Sequence, residues 1–437
     1  MSRARRLFFG MGGLLAAGFV VLLVVGWSKL PSQEEVAARA SSAFEERTGV
    51  KVDFAHVRWS LWPQPTLVID NAVTRQTSPI VVRNLRLQGT WSSVLHRKPE
   101  LQDIELEGAV VPQASLQQLR ANDDGQQDAK PAVEWLPGNL TIRFSDLTWI
   151  DRRGVELEYE GAIKLDPDGL PGKARIARAG THPATQLRLE REPGEARWRV
   201  LVDVPGGTWN GQAQLAQSSK GVKLTAALEP KGVEVEALLA AFGRKSVVAG
   251  SMNGKTTINA EAPTPGGLLR AMHTSTQFAI KPARLTRFDL TKAVRSAGAS
   301  ESGQTQLDIL TGVLDTQNTG NGIQFRYTNL EARSGALTAT GNVRLVRRKL
   351  DGELAIDLVD GVVGIPLKVT GTVDDPQLSL TGGALTGAAV GTAVLPGVGT
   401  AIGARVGQQV ERLLGSESPK DAKATGQSPA TQAKPRR

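Results

Sequence analysis

VELEYEGAIKL, residues 155–165, sets Val155, Leu157, Tyr159 and Ile163 against Glu156, Glu158 and Glu160. A period of two puts each set on its own face of a β-strand, so the segment predicts a sheet with one apolar and one wet face. The pattern recurs along the chain: Leu85 and Leu87, Ile104 and Leu106, Ile142 and Phe144, Trp198 to Val204, Val222 to Leu228, Ile323 to Tyr327, Leu337 to Leu345, Ile356 and Leu358, Leu367 and Val369. Asp168-Gly169, Pro205-Gly206-Gly207, Asn210-Gly211, Asn321-Gly322 and Asp351-Gly352 read as the turns between strands. The expectation is a mostly β chain: a long twisted antiparallel meander of roughly fifteen strands.

Helices are few. Ser32 and Glu35 have capping-box spacing ahead of Val36, Ala40 and Phe44, and Gly49 is placed to end that helix. Short peripheral helices are expected at Gln113–Ala121, Val233–Phe242, Pro265–Met272 and Phe288–Ala297. A sheet this long with one apolar face must cover that face or close on itself. So few short helices cover only part, which leaves an apolar groove or half-open barrel. Two such sheets packed as a dry sandwich satisfy the same pattern. A groove lined by Leu, Val and Ile suits an acyl chain, whose twelve to sixteen methylenes give about 10 kcal/mol gross on burial.

The two ends of the chain differ from its body. Leu7–Trp27 carries no charge and follows Arg3, Arg5 and Arg6. As a helix it reaches roughly 31 Å, the thickness of a bilayer core, and the arginines predict a cytoplasmic N-terminus. A cleaved signal peptide has a shorter apolar run and a small-residue cleavage site. GWSKLPS, residues 26–32, is a poor one, so the run is read as a retained single-pass anchor with Trp27 and Lys29 at the interface. Near the other end, Gly383, Gly387 and Gly391, then Gly399, Gly403 and Gly407, recur every fourth residue on either side of Pro396-Gly397. This spacing predicts a Gly-zipper helical hairpin, packed on the sheet or dipping into a membrane. The expected regions are 1–30 (cytoplasmic N-terminus and anchor), 31–121, a polar linker 122–132, a central β region 133–264, a C-terminal β region 265–380, the hairpin 381–415 and a disordered basic tail 416–437.

Chemistry-bearing motifs fail on spacing. His56, His96, His182 and His273 are not at ligand spacing, and there is no cysteine. Gly250 to Thr256 has three residues between its glycines where a phosphate loop has four, and reads as a hairpin turn. Gly397 and Gly399 lack a third glycine at Ile402, and Asp166-Pro-Asp168-Gly169 lacks the closing Glu of a calcium loop at Ala177. The net charge of +9 gathers at the two termini rather than on the folded body, which argues against nucleic acid. No catalytic residue, metal or cofactor is expected.

Arg47-Thr48-Gly49, Trp59-Ser60-Leu61, Pro63, Pro65 and Asp70-Asn71 together resemble the N-terminal region of the AsmA family. Phe288-Asp289-Leu290, the paired strands from Gly341 and Leu350, and IPLKVTGTVDDP at 365–376 resemble the family's closing segment. The likeness runs over about Arg3–Leu380, is loose from Val133 to Pro265, and leaves the Gly-zipper tail outside. It implies an inner-membrane-anchored periplasmic protein of a Gram-negative bacterium, with roles in outer-membrane assembly and lipid homeostasis. It also implies kinship to bridge-like lipid-transfer proteins, with phospholipid as partner and no active site. The groove candidates are then Leu85, Leu87, Ile104, Leu106, Ile142, Phe144, Ile356, Leu358, Leu367 and Val369, and Trp59 and Trp62 are candidates for the membrane-proximal end. The rival reading is a scaffold that binds outer-membrane proteins through its sheet edges.

Overall fold

The computed structural model describes residues 32–92, 101–117, 138–181, 184–296, 302–319, 322–358 and 365–380. Helix α1 (Gln33–Thr48) leads into β1 (Val52–Ser60), β2 (Thr66–Thr74), β3 (Val81–Gly89) and β4 (Leu101–Pro112). Then come β5 (Thr141–Ile150), β6 (Glu156–Leu165), β7 (Pro171–Arg178), β8 (Thr185–Arg191), β9 (Arg197–Val204), β10 (Gly207–Ser218), β11 (Gly221–Lys231) and β12 (Val233–Glu234). Helix α2 (Val235–Ala241) precedes β13 (Val248–Ala262), α3 (Leu268–Ala271), β14 (His273–Leu285) and α4 (Leu290–Arg295). The last described strands are β15 (Thr305–Leu307), β16 (Ile309–Thr319), β17 (Gly322–Arg333), β18 (Leu337–Val346), β19 (Lys349–Leu358), β20 (Ile365–Gly371) and β21 (Pro376–Leu380).

All 21 strands belong to one sheet. Neighbours in sequence are neighbours in space, except that β13 pairs with both β11 and β12, and β14 with both β15 and β16. Those short strands prolong existing rows, so the sheet has about nineteen rows and runs roughly 86 Å at ~4.8 Å spacing. No pairing joins β1 to β21, so the sheet is open. The meander is not wholly antiparallel: β4 and β5 are parallel, with Ile104 opposite Ile142 and Leu106 opposite Phe144. A parallel pair needs a long crossover, and the chain from Gln113 to Leu140, which contains the polar linker, supplies it.

Alternation holds where the sequence is clearest. Along β6, Glu156, Glu158, Glu160, Ala162 and Lys164 are exposed, while Leu157, Tyr159, Gly161, Ile163 and Leu165 are buried or half-buried. The strands also bend. Asn71, Gly108, Asp146 and Asn329 have positive φ inside β2, β4, β5 and β17, and pairing registers shift at Phe144/Leu147, Gly250/Met252, Thr311/Val313 and Tyr327/Leu330. Each bulge adds a residue to one strand and sharpens the twist, which curves the sheet. Two glycines aid this on the apolar face. A Cβ on Gly161 would lie 2.7 Å from the Phe144 ring, and one on Gly312 would lie 3.0 Å from the Phe278 ring. Only a hydrogen there lets the aromatic lie flat across the neighbouring strand. Gly250 to Thr256 is therefore not the expected hairpin turn; it runs within β13, where Gly250 marks a bulge and Gly254 faces Phe278.

Helices cover only parts of the sheet. The Glu35 amide donates to Ser32 Oγ at 3.2 Å, and Gly49 closes α1 at φ 71° with its amide on Glu45 O at 2.7 Å. Val36, Ala40 and Phe44, at most 1% exposed, press α1 onto β1–β4. Leu290, Ala293 and Val294 of α4 enter a second core with Leu337, Ile356 and Leu367. Leu268 of α3 packs on Val222, Ala260 and Ala262. Of the expected helix at Gln113–Ala121, a 3-10 turn at Ser115–Gln117 falls within the described residues. Among those residues no helix is long and apolar enough to cross a membrane. Leu7–Trp27, the linker, the zipper glycines, the tail, His96 and His182 lie outside them.

Phe44 is the largest side chain by which α1 holds the sheet. Phe44→Ala is expected to cost about 3–5 kcal/mol, read as a lowered thermal midpoint of the detergent-solubilised full chain. Ser32→Ala, which removes one cap, is expected to cost about 1 kcal/mol.

Candidate functional site: one apolar face along the whole sheet

Residues paired across strands share a face. Followed from row to row, the registers carry one apolar set through the entire sheet. Leu67 opposes Trp59 and Leu87, Leu87 opposes Ile104, and Ile104 opposes Ile142, which opposes Ile163. Ile163 opposes Ala174, then come Leu189, Val200 and Gly211, and then Leu228. Leu228 opposes Thr256, then Thr276, Leu314, Tyr327 and Val343 follow, and the set ends at Gly352 and Val369. The opposite face carries the charge. Arg58–Asp70 at 2.8 Å, Arg143–Asp103 at 2.8 Å and Arg188–Asp203 at 2.9 Å are ion pairs there. Such exposed pairs add little stability but keep that face wet.

All ten groove candidates lie in strands of this set, at its filled ends. Leu85, Leu87, Ile104, Leu106 and Ile142 are at most 9% exposed, and Phe144 packs against them in the core under α1. Ile356, Leu358, Leu367 and Val369 are at most 7% exposed in the core beside α4. The half-open surface lies between. On β8–β11 it comprises Leu187, Leu189, Val202, Leu215, Leu224 and Leu228. Farther along it comprises Leu314, Phe325, Val343, Leu345 and Leu350. These residues alternate as clearly as the candidates do. Leu215 and Leu224 border the α3 core and Val343 and Leu350 the α4 core. Leu187, Leu189, Val202 and Leu228 belong to no helix-capped core among the described residues, and strand periodicity carries no signal for that difference.

Turns at the two ends of the strands hold different groups. At the end where β1 meets β2, Trp62 is 81% exposed and Trp91 41% exposed. The Trp91 indole donates to Pro63 O at 2.9 Å, which brings the two loops together. Trp59 instead packs against the first core. Trp91 carries no sequence periodicity and was missed. At the opposite end, the β5–β6 turn is tied across the sheet to the segment after α2: Arg244 donates to Asp151 at 2.8 Å. Burial raises the Asp151 carboxyl pKa, but the amides of Val155 and Arg153 and the Arg244 charge outweigh it and hold the group below the usual range.

Polar groups on the apolar face are few. Burial pushes the phenols of Tyr159 and Tyr327 above their ordinary value, and Arg178 partly offsets this at Tyr159. Arg191 lies over the Trp198 ring at 5.9 Å and is clamped by Asp166 at 3.0 Å and Asp168 at 2.6 Å, both from the β6–β7 turn. This turn is the Asp166–Gly169 segment. His56 and His273 are exposed, and no cluster of three or more metal-ligating side chains occurs among the described residues. A cavity of 480 Å³ opens on the charged face, among Glu105, Glu107, Arg143, Glu160 and Arg175. It is open, sets three glutamates against two arginines, and lies apart from the half-open apolar stretch.

The hydrogen bond from Arg191 holds the Asp168 carboxyl below the usual range. Its contribution to stability is therefore complete above the unfolded value of about 3.9 and disappears as pH falls through the lower folded value. The thermal midpoint is expected to fall more steeply as pH drops below about 4 in the wild type than in Asp168→Asn, compared by differential scanning fluorimetry. No family model, curated protein or solved structure matches this chain.

Proposed function

We propose that this protein carries phospholipid, holding acyl chains against the apolar face while the charged face meets water. It is a non-enzymatic carrier, anchored in the inner membrane of a Gram-negative bacterium through Leu7–Trp27, with its bulk in the periplasm. The observation that carries the reading is the continuity of one apolar face over every row of an open sheet whose β7–β10 rows carry no helix among the described residues. A protein with only a dry core buries such a face completely, whereas a half-open one exposes a long strip of Leu and Val to a second apolar substance. The likeness of Arg47–Asn71 and Ile365–Pro376 to AsmA family segments supports the same reading. Trp62 and Trp91 are suited to the membrane interface, where amphipathic rings settle. A length of roughly 86 Å is a partial reach across an envelope, so a partner or a second copy would complete a bridge.

A second reading has its own observation. The edge strands β1 and β21 each pair on one side only among the described residues, and an unpaired edge is a template for strand addition. An assembly factor for outer-membrane proteins would use those edges and leave the apolar face dry.

Native mass spectrometry of the full chain released from mild detergent separates the two. The carrier retains one or more phospholipids per chain; a folded, lipid-free chain sinks it. Leu187→Glu with Leu228→Glu is expected to remove bound lipid and preserve the β circular dichroism spectrum. Leu106→Glu or Ile356→Glu is expected to unfold the chain instead, because those side chains are 9% and 0% exposed.

A further inference from the structure

Two arginines project from the apolar face of the middle rows, and they are treated differently. Arg191 is neutralised by two aspartates. At the other end of the same strands, the β6–β7–β8 registers set Tyr159, Arg178 and Thr185 side by side. The Arg178 guanidinium lies 5.8 Å from the centre of the Tyr159 ring. Its Nη1 donates to Glu158 O at 2.9 Å and Ala179 O at 2.8 Å. Its Nε is buried and has no hydrogen-bond partner. Among the described residues, Nη2 forms no hydrogen bond and no carboxylate pairs with this cation. Beside it, the Thr185 hydroxyl is buried, in a residue 7% exposed, and also has no partner.

Nε and Nη2 share one edge of the guanidinium, the fork that donates to two oxygens of a phosphate or carboxylate. Nη1, on the other side, is fixed by backbone carbonyls, so the fork is held in place rather than mobile. Thr185 adds a hydroxyl donor one strand away. From this row the apolar face continues through Ile176, Leu187 and Val202 and then Ala174, Leu189 and Val200 to Trp198. From Thr185 to Arg191 that path measures roughly 20 Å at ~3.3 Å per residue. One leaflet's acyl chains occupy about 15 Å, half of a ~30 Å hydrocarbon core. An anionic head at Arg178 therefore leaves room for one extended chain before the closed Arg191–Asp168 pair.

We propose that Arg178 and Thr185 form an oxyanion site for the phosphodiester of a phospholipid, with one acyl chain lying down the β6–β9 part of the apolar face. This deepens the carrier reading above and rests on it. It makes this stretch a station with a preferred orientation, head at Arg178 and chain toward Trp198.

The test uses the full chain in neutral detergent, titrated by native mass spectrometry with dioleoylphosphatidylglycerol, dioleoylglycerol and oleate. The first two share their chains and differ in the phosphate; oleate supplies a carboxylate. The wild type is expected to prefer phosphatidylglycerol to dioleoylglycerol by about tenfold, as charge-assisted bidentate bonds allow. Arg178→Gln is expected to abolish that preference and leave dioleoylglycerol binding intact. Arg178→Lys, which keeps the charge without the fork, and Thr185→Val are expected to reduce it in part, which covers the case of an unstable Arg178→Gln. Arg188→Gln, on the charged face, removes the same charge and is expected to change nothing. Equal wild-type binding of the two dioleoyl lipids overturns the site and leaves the carrier reading standing. Binding of neither overturns both. Stronger binding of oleate than of phosphatidylglycerol overturns the phosphate assignment, and an undiminished preference in Arg178→Gln overturns the role of the arginine.

Discussion

Hydrogen-bond register is the constraint on which everything else here depends. Side chains alternate along each strand, so a slip of one residue in any of about nineteen rows would turn the next strand's leucines outward. The pairings avoid this from Trp59 at one edge to Val369 near the other. Where a bulge breaks the count in one strand, its partner accommodates it. After Phe144 the register skips to Leu147 opposite Tyr159, and the apolar side chains meet again. The bulges therefore curve the sheet and yet preserve its sidedness. The parallel β4–β5 joint obeys the same requirement, since Ile104 meets Ile142 and Leu106 meets Phe144 on the shared face.

Continuity of the face does not make it uniformly buried. Helix α1 seals the first rows and α4 the last, and each seal rests on side chains that reach full burial, such as Phe44 and Ala293. Between them, α3 covers the Val222–Ala262 end of β11 and β13, and over β7–β10 no helix among the described residues lies on the face, which is sheltered there by curvature. A curved sheet can half-bury its own inner side chains, but it has no second layer to meet them at interior packing density. Leu187, Leu189 and Leu228 remain half-exposed for that reason. The two sealed ends supply most of the packing that stabilises the fold, and the middle is left with surface that a second apolar molecule can cover.

How much of this was legible in the sequence follows from which forces are local. The face assignment was legible: VELEYEGAIKL reads directly as the exposed and buried sides of β6, because period-two alternation is intrinsic to each strand. Helix α1 was legible for the same reason, since Ser32, Glu35 and Gly49 act within a few residues of themselves. The parallel joint at β4–β5 was not, because alternation is identical in parallel and antiparallel strands. Nor was the open stretch. Leu85 and Leu187 have the same local pattern, and only the tertiary position of α1 buries the first and spares the second. The turn reading of Gly250–Thr256 failed because glycine serves both turns and bulges, and its role depended on the pairing with β14, where Gly250 lies against Pro282 and Gly254 against Gln277.

The contrast between Arg178 and Arg191 turns this reasoning into a statement about specificity. Both side chains point from a mostly apolar face, and both lie against an aromatic ring. A cation on such a face is unfavourable unless an anion compensates it. The fold shows how it compensates one when the role is structural: the β6–β7 turn brings Asp166 and Asp168 onto Arg191. At Arg178 strand β6 and the residue after β7 bring only carbonyl oxygens, and the neighbouring Thr185 hydroxyl is also left without a partner. A surface that only slid acyl chains along would have no need of that asymmetry. A surface that must stop a lipid in one orientation needs a charge at one end of the path and none available at the other.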